Sequence, residues 1–90
     1  MTHRNRAAHT LVRHQPIADA LREVPGLELP VGTYSARHNA KNVAYRIIHA
    51  YRLPYYEPAG SYTARCEDTE MGTAVYARYV GERAAIPNAA

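Results

Sequence analysis

The stretch ARHNAKNVAYRIIHAYR, residues 36–52, decides how the rest of the chain is read. At about 100° per residue, as a 3.6-residue repeat requires, Ala36, Ala40, Val43, Ala44, Ile47 and Tyr51 fall within roughly a third of the circumference. His38, Lys41, Tyr45, His49 and Arg52 gather on the far side. This pattern predicts one long amphipathic helix with an apolar arc and a basic, tyrosine-bearing stripe. Ser35 stands where a side-chain oxygen can accept from the unpaired amides of the first turn. Leu53-Pro54 closes the helix, because the residue before a proline is biased away from helical dihedrals.

On the N-terminal side, Gly32-Thr33-Tyr34-Ser35 leads into that helix, and Leu27, Leu29 and Val31 alternate with Glu28 and Pro30. The alternation predicts a short extended segment, and Pro30 makes it an edge strand since proline cannot donate to a ladder. Further back, Gln15-Pro16 reads as a helix start, with Ile17, Ala20, Leu21 and Val24 at helical spacing and Pro25-Gly26 as its end. Residues 1–14 lack clear periodicity and read as a basic flexible arm.

On the C-terminal side, Pro54, Pro58 and Gly60 mark a structured loop. Ser61–Glu67 then alternates, with Tyr62, Ala64 and Cys66 on one face and Thr63, Arg65 and Glu67 on the other. Thr73–Val80 is similarly rich in strand formers, with Val75, Ala77 and Tyr79 facing the helix and Asp68–Gly72 joining the two strands. Residues 84–90 read as a frayed tail. The expectation is one α+β domain over residues 15–83: a short N-terminal helix, an extended segment, the long helix and a C-terminal antiparallel β-hairpin. A winged helix-turn-helix is the competing topology, with the long helix as recognition element and the hairpin as wing. About a dozen residues separate the two helices, whereas that motif's turn is only about 3 to 4 residues.

Ninety residues leave room for one domain. The chain has eight tyrosines and no Phe or Trp, so tyrosine must supply the aromatic bulk. Each buried hydroxyl needs a partner, and the expectation is a core that lies close to solvent. A single cysteine, Cys66, excludes an intrachain disulfide and fits a reducing cytoplasm. No apolar run approaches the roughly 20 residues of a membrane span, so the reading is a soluble cytoplasmic protein without membrane attachment.

The formal charge of +3 is unevenly spread. Arg4, Arg6 and Arg13 in the arm have no acid among them, and residues 31–60 carry Arg37, Lys41, Arg46 and Arg52 against Glu57 alone. Lys41, Tyr45, His49 and Arg52, flanked by Arg37 and Arg46, can lie along a phosphate backbone. The cations supply charge, and tyrosine hydrogen-bonds phosphate or stacks on a base. Arg4 and Arg6 can reach into a groove from the arm. The bland counterpart is a solvated helix face. A second surface is the tyrosine-proline loop with the hairpin: Tyr55, Tyr56 and Tyr62, then Tyr76 and Arg78, are residue types enriched at interface hot spots. The alternative for the loop is closure of the core. The hairpin edge can also pair with a second copy of the chain.

No catalytic or cofactor signature accompanies these patterns. His38 and His49 share a face, but eleven helical residues set them roughly 16 Å apart, too far to ligate one ion. Cys66 with His49 is a conceivable nucleophile pair lacking a third group to orient it. Glu67, Asp68 and Glu70 fall on a hairpin turn, where carboxylates keep a loop wet. No cofactor, no metal and no enzymatic activity are therefore expected.

Four runs carry a resemblance: Gly32-Thr33-Tyr34-Ser35; Asn42-Val43-Ala44-Tyr45 with Ile47; Tyr56-Glu57-Pro58-Ala59-Gly60-Ser61-Tyr62; and Val75-Tyr76-Ala77-Arg78-Tyr79-Val80-Gly81. Across roughly residues 31–82 the chain resembles a group of short uncharacterised proteins of high-GC actinobacteria and their phages. The resemblance implies a source of that kind and no particular activity. The alanine- and arginine-rich composition, with Lys41 the only lysine, agrees with it. Two functions from different classes follow: a small nucleic-acid-binding protein, such as a phage or mobile-element regulator, and a phage-encoded protein-interaction module or effector that binds a host protein.

Overall fold

The structure, a computed structural model, describes residues 12–81. The expectations for most of the basic arm, including Arg4 and Arg6, and for the C-terminal tail lie outside the described residues. Those described form a small α+β domain of two helices and a three-stranded antiparallel sheet.

The first helix, α1 (His14–Glu23), begins inside the expected arm and carries Pro16 at its third position, where no intrahelical N–H bond is lost. It buries Ala18 and Leu21, with Ile17 half-buried beside them, whereas Ala20 and Val24 face solvent. Val24 leaves helical geometry ahead of Pro25, so it does not extend the apolar stripe. At the following turn Gly26, with φ +89°, donates its N–H to Tyr79 O at 2.9 Å.

Strand β1 (Leu29–Tyr34) continues through the Gly32-Thr33-Tyr34 run expected to be a lead-in. Its pairing is antiparallel with β3 (Gly72–Tyr79), which in turn pairs along its whole length with β2 (Tyr62–Thr69). The order is β1-β3-β2, so β3 is central and Pro30 lies on an edge, where its missing N–H costs no ladder bond. A register shift between Pro30 and Gly32 accommodates Val31, which is buried. The hairpin strands run further than expected, to Thr69 and from Gly72, leaving only Glu70 and Met71 as the loop.

Helix α2 (Arg37–His49) is shorter than the 36–52 pattern implies. Its N-cap is Ala36, with no side-chain cap, because Ser35 is spent turning the chain out of β1. The Ala36 carbonyl takes the N–H groups of Asn39 and Ala40 instead. At the other end Ala50 adopts left-handed geometry, φ 52°, and Arg52 does too, φ 58°. The terminal carbonyls already have partners there: Tyr51 N–H bonds Arg46 O at 2.9 Å, and Gly60 N–H bonds Ile48 O at 3.0 Å. The helix therefore stops before Leu53-Pro54, and Tyr51 is exposed rather than part of the apolar arc.

Both helices pack on one face of the sheet, a two-layer arrangement. The core joins Ala18 and Leu21 of α1, Ala40, Ala44 and Ile47 of α2, Leu53, Tyr56 and Tyr62, and Val31, Val75 and Ala77 of the sheet. A 3-10 turn, Pro54–Tyr56, drives Tyr56 inward. Contrary to the expectation of a wet aromatic core, Tyr56 and Tyr62 are fully buried, at 0% and 1% exposure. The cost of burying their hydroxyls is offset locally: Tyr56 Oη lies 2.7 Å from His14 Nδ1, and Tyr62 donates to Ala18 O at 3.0 Å. The rings of Tyr55, Tyr56, Tyr62 and Tyr79 meet edge to face, with centroids 5.0 to 6.5 Å apart.

Helices α1 and α2 are separated by the whole of β1, so they do not make a helix-turn-helix with each other. Among the described residues no helix is long and apolar enough to cross a membrane.

Candidate nucleic-acid interface

The helical repeat that buries Ala40, Ala44 and Ile47 necessarily turns His38, Lys41, Asn42, Tyr45 and His49 to solvent, and all five are exposed. Tyr45 and His49, four residues apart, lie one turn above the other with ring centroids 4.2 Å apart. Arg52 follows in the left-handed turn, its guanidinium 5.2 Å over the ring of the exposed Tyr51. Lys41, Tyr45 and His49 thus share the solvent face of α2, while Arg52, expected on the same stripe, stands in the turn beyond the helix end, where the helical repeat no longer sets its direction.

The two flanking arginines are committed elsewhere. Arg37 reaches Asp68 of β2 at 2.5 Å, so much of its charge is matched. Arg46 is half-buried and donates from Nε to Tyr51 O at 3.2 Å, closing the turn that ends α2. Burial and then the Arg46 guanidinium lower the pKa of His14, whereas at Tyr34 burial raises the pKa and Arg46 only partly opposes it. Arg46 therefore acts within the fold.

Among the described residues, the ion pairs take up Arg37 and Arg65; Lys41 and Arg52 have no carboxylate partner, and neither has Arg78 on the helix-free face of the sheet. No acid occurs between Ala36 and Tyr56. By contrast the tip of the β2–β3 hairpin carries Glu67, Asp68 and Glu70, with Met71 81% exposed. A wing docked on phosphates would bring those carboxylates against like charge.

The residues assigned to a protein interface are scattered by the fold. Tyr56 and Tyr62 belong to the core and cannot touch a partner, because the 3-10 turn and the first pair of β2 point them under the helices. Tyr55 is 42% exposed and stacks on His14 with centroids 6.3 Å apart. Tyr76 and Arg78 occupy the helix-free face of the sheet, where Tyr76 is half-covered by the Arg65 guanidinium at 4.7 Å. Arg65 is held there by both oxygens of Glu28, at 2.8 and 3.0 Å, and by Glu67 at 3.1 Å. These bonds keep the Glu28 carboxyl below the usual carboxylate range.

Sequence reasoning passed over Arg22 altogether. It projects from the last turn of α1, lies 5.0 Å from the Tyr79 ring and 5.7 Å from that of Tyr62, and donates to Glu57 O at 2.7 Å. It clamps α1 to the loop ahead of β2. Its only sequence signal was a basic residue near a helix C-terminus, favourable to the helix dipole and silent about partners.

Among the described residues no three His, Cys, Asp or Glu side chains converge as metal ligands. His49 turns to Tyr45 on the solvent side, whereas Cys66 packs half-buried against the core. Comparison with protein-family models, with curated proteins and with solved structures finds no match to this chain.

Proposed function

We propose that this chain is a small non-enzymatic nucleic-acid-binding protein, of the kind a phage or mobile element uses as a regulator, acting through the solvent face of α2 and the turn that follows. The observation that carries this reading is the pairing pattern of the cations. Arg37 and Arg65 are held by acids and Arg46 by a carbonyl, while Lys41 and Arg52 flank exposed Tyr45 and His49 with no carboxylate between Ala36 and Tyr56. Unmatched cations interleaved with exposed rings are what a phosphate backbone with unstacked bases requires. The hairpin is not used as a wing in this reading, given its acidic tip. Arg4 and Arg6 would add charge from the arm. The protein-interaction alternative is weakened by the loss of Tyr56 and Tyr62 to the core.

The test is binding of the full chain to mixed duplex DNA and to single-stranded RNA across a salt series. Affinity should fall linearly in log salt, and the Lys41→Ala/Arg52→Ala variant should bind more weakly with a slope reduced by about 2. Tyr45→Ala should weaken single-strand binding by about 1 to 3 kcal/mol if bases stack there. Absence of binding at low salt would overturn the proposal.

A further inference from the structure

Strand β2 is an edge, and its chemistry is that of an edge made to be paired. The opposite edge, β1, carries two common blocking devices, Pro30 and a register shift. Strand β2 has neither: its register with β3 is continuous from Tyr62 to Thr69. A two-residue loop makes Thr69 and Gly72 a hydrogen-bonded pair. The same phase is fixed at the far end, where Val80 N–H bonds Ser61 O at 2.8 Å. Alternation then turns the backbone groups of Thr63, Arg65, Glu67 and Thr69 toward β3, and those of Tyr62, Ala64, Cys66 and Asp68 outward. No described strand meets that outward row.

The side chains along this edge are self-complementary. About Cys66, the strand reads Thr63, Ala64, Arg65 before it and Glu67, Asp68, Thr69 after it. We infer that β2 pairs antiparallel with β2 of a second copy of this chain about a twofold axis at Cys66. That register sets each Arg65 opposite Glu67 of the other copy and each Thr63 opposite Thr69. Both are non-hydrogen-bonded pairs, in which facing side chains approach most closely. Neighbouring registers lack this match: centring on Arg65 or on Glu67 sets like charges directly across the axis. Arg65 already stands on the helix-free face, over Tyr76 and braced by Glu28, and its Nη1 donates to Glu67 of its own strand at 3.1 Å, a partner that pairing exchanges for Glu67 of the other copy. The result is a continuous six-stranded sheet with both copies' helices on one side, so the two α2 faces would lie on the same surface. The inference does not rest on nucleic-acid binding.

Sedimentation of the full chain over a concentration series tests it. The unmodified protein should dimerise. Arg65→Glu and Glu67→Arg should each weaken the dimer by about tenfold, since each puts like charges across both symmetry-related pairs. An equimolar mixture of the two variants should recover association, because every acidic position then faces a basic one. Hydrogen exchange of the unmodified protein gives a second readout that survives if a variant fails to fold. The amides of Ala64, Cys66 and Asp68 should slow as concentration rises, while those of Thr63, Arg65 and Glu67 are slow throughout. A monomer at the highest soluble concentration would overturn the inference, as would a dimer in which the mixture associates no better than the separate variants.

Discussion

His14 sits half-buried between the rings of Tyr55 and Tyr56, with Nδ1 at 2.7 Å from the Tyr56 hydroxyl. Burial and then the Arg46 guanidinium lower its pKa, while burial raises that of Tyr56. Both shifts favour the same protonation state, a phenol that donates to a neutral imidazole. As pH falls below the ordinary histidine value of 6.5, the unfolded chain takes up a proton at His14 before the folded one does. The contribution of this group is therefore complete above 6.5 and is lost as pH falls through the folded value. Thermal melts between about pH 7 and pH 5 should show a falling Tm, and His14→Gln, which keeps an acceptor for Tyr56, should flatten that slope. An unchanged slope in the variant would place the effect on other groups.

At the scale of elements, the hairpin and β1 meet at a point that tolerates only glycine. Gly72 has φ +135°, and a Cβ there would collide with the Tyr34 carbonyl oxygen, which belongs to the last residue of β1. Gly72→Ala should destabilise the domain by about 2 to 4 kcal/mol, lowering Tm by roughly 10 °C or more. Gly26→Ala is the control: φ is also positive, but nothing lies within 4 Å of the new Cβ. Its cost should stay near 1 kcal/mol. If the two variants melt together, β1 and the hairpin leave room for a methyl group at this point. The same contrast explains what the sequence could reveal. Helix and strand faces were legible because period 3.6 and period 2 are local: Ala40, Ala44 and Ile47, or Ala64 and Cys66, announce their own face. The pairing of β1 with β3 was not, because Gly32-Thr33 imitates a turn and its partners Val75 and Ala74 lie some forty residues on. The end of α2 was hidden for a related reason. A left-handed alanine leaves no glycine signal, and it is held by Arg46 and Gly60, whose bonds no periodicity encodes.

At the scale of the molecule, the candidate site was legible as composition and illegible as charge. The stripe Lys41, Tyr45 and His49 follows from helical geometry alone, but the matching of Arg37 depends on Asp68, thirty-one residues away in another element. Net charge therefore overstates the field of the α2 face, and the acid that weakens it can be removed separately. Asp68→Asn keeps an oxygen for the Thr73 hydroxyl, which lies 3.2 Å from Oδ1, and releases the Arg37 guanidinium. The pair is largely solvent-exposed, so its loss should change stability by about 1 kcal/mol or less. Its effect on binding should be larger than its effect on folding. With Arg37 at the N-terminal end of the same helix that bears Lys41, the freed charge extends the basic stripe by one turn. Affinity for duplex DNA should rise, and the slope of log affinity against log salt should steepen by up to about 0.9. Arg37→Ala in the Asp68→Asn background should return both to their starting values. A gain in affinity without a change in slope would mean that removing an acid relieved repulsion at a distance, with Arg37 still clear of the phosphates.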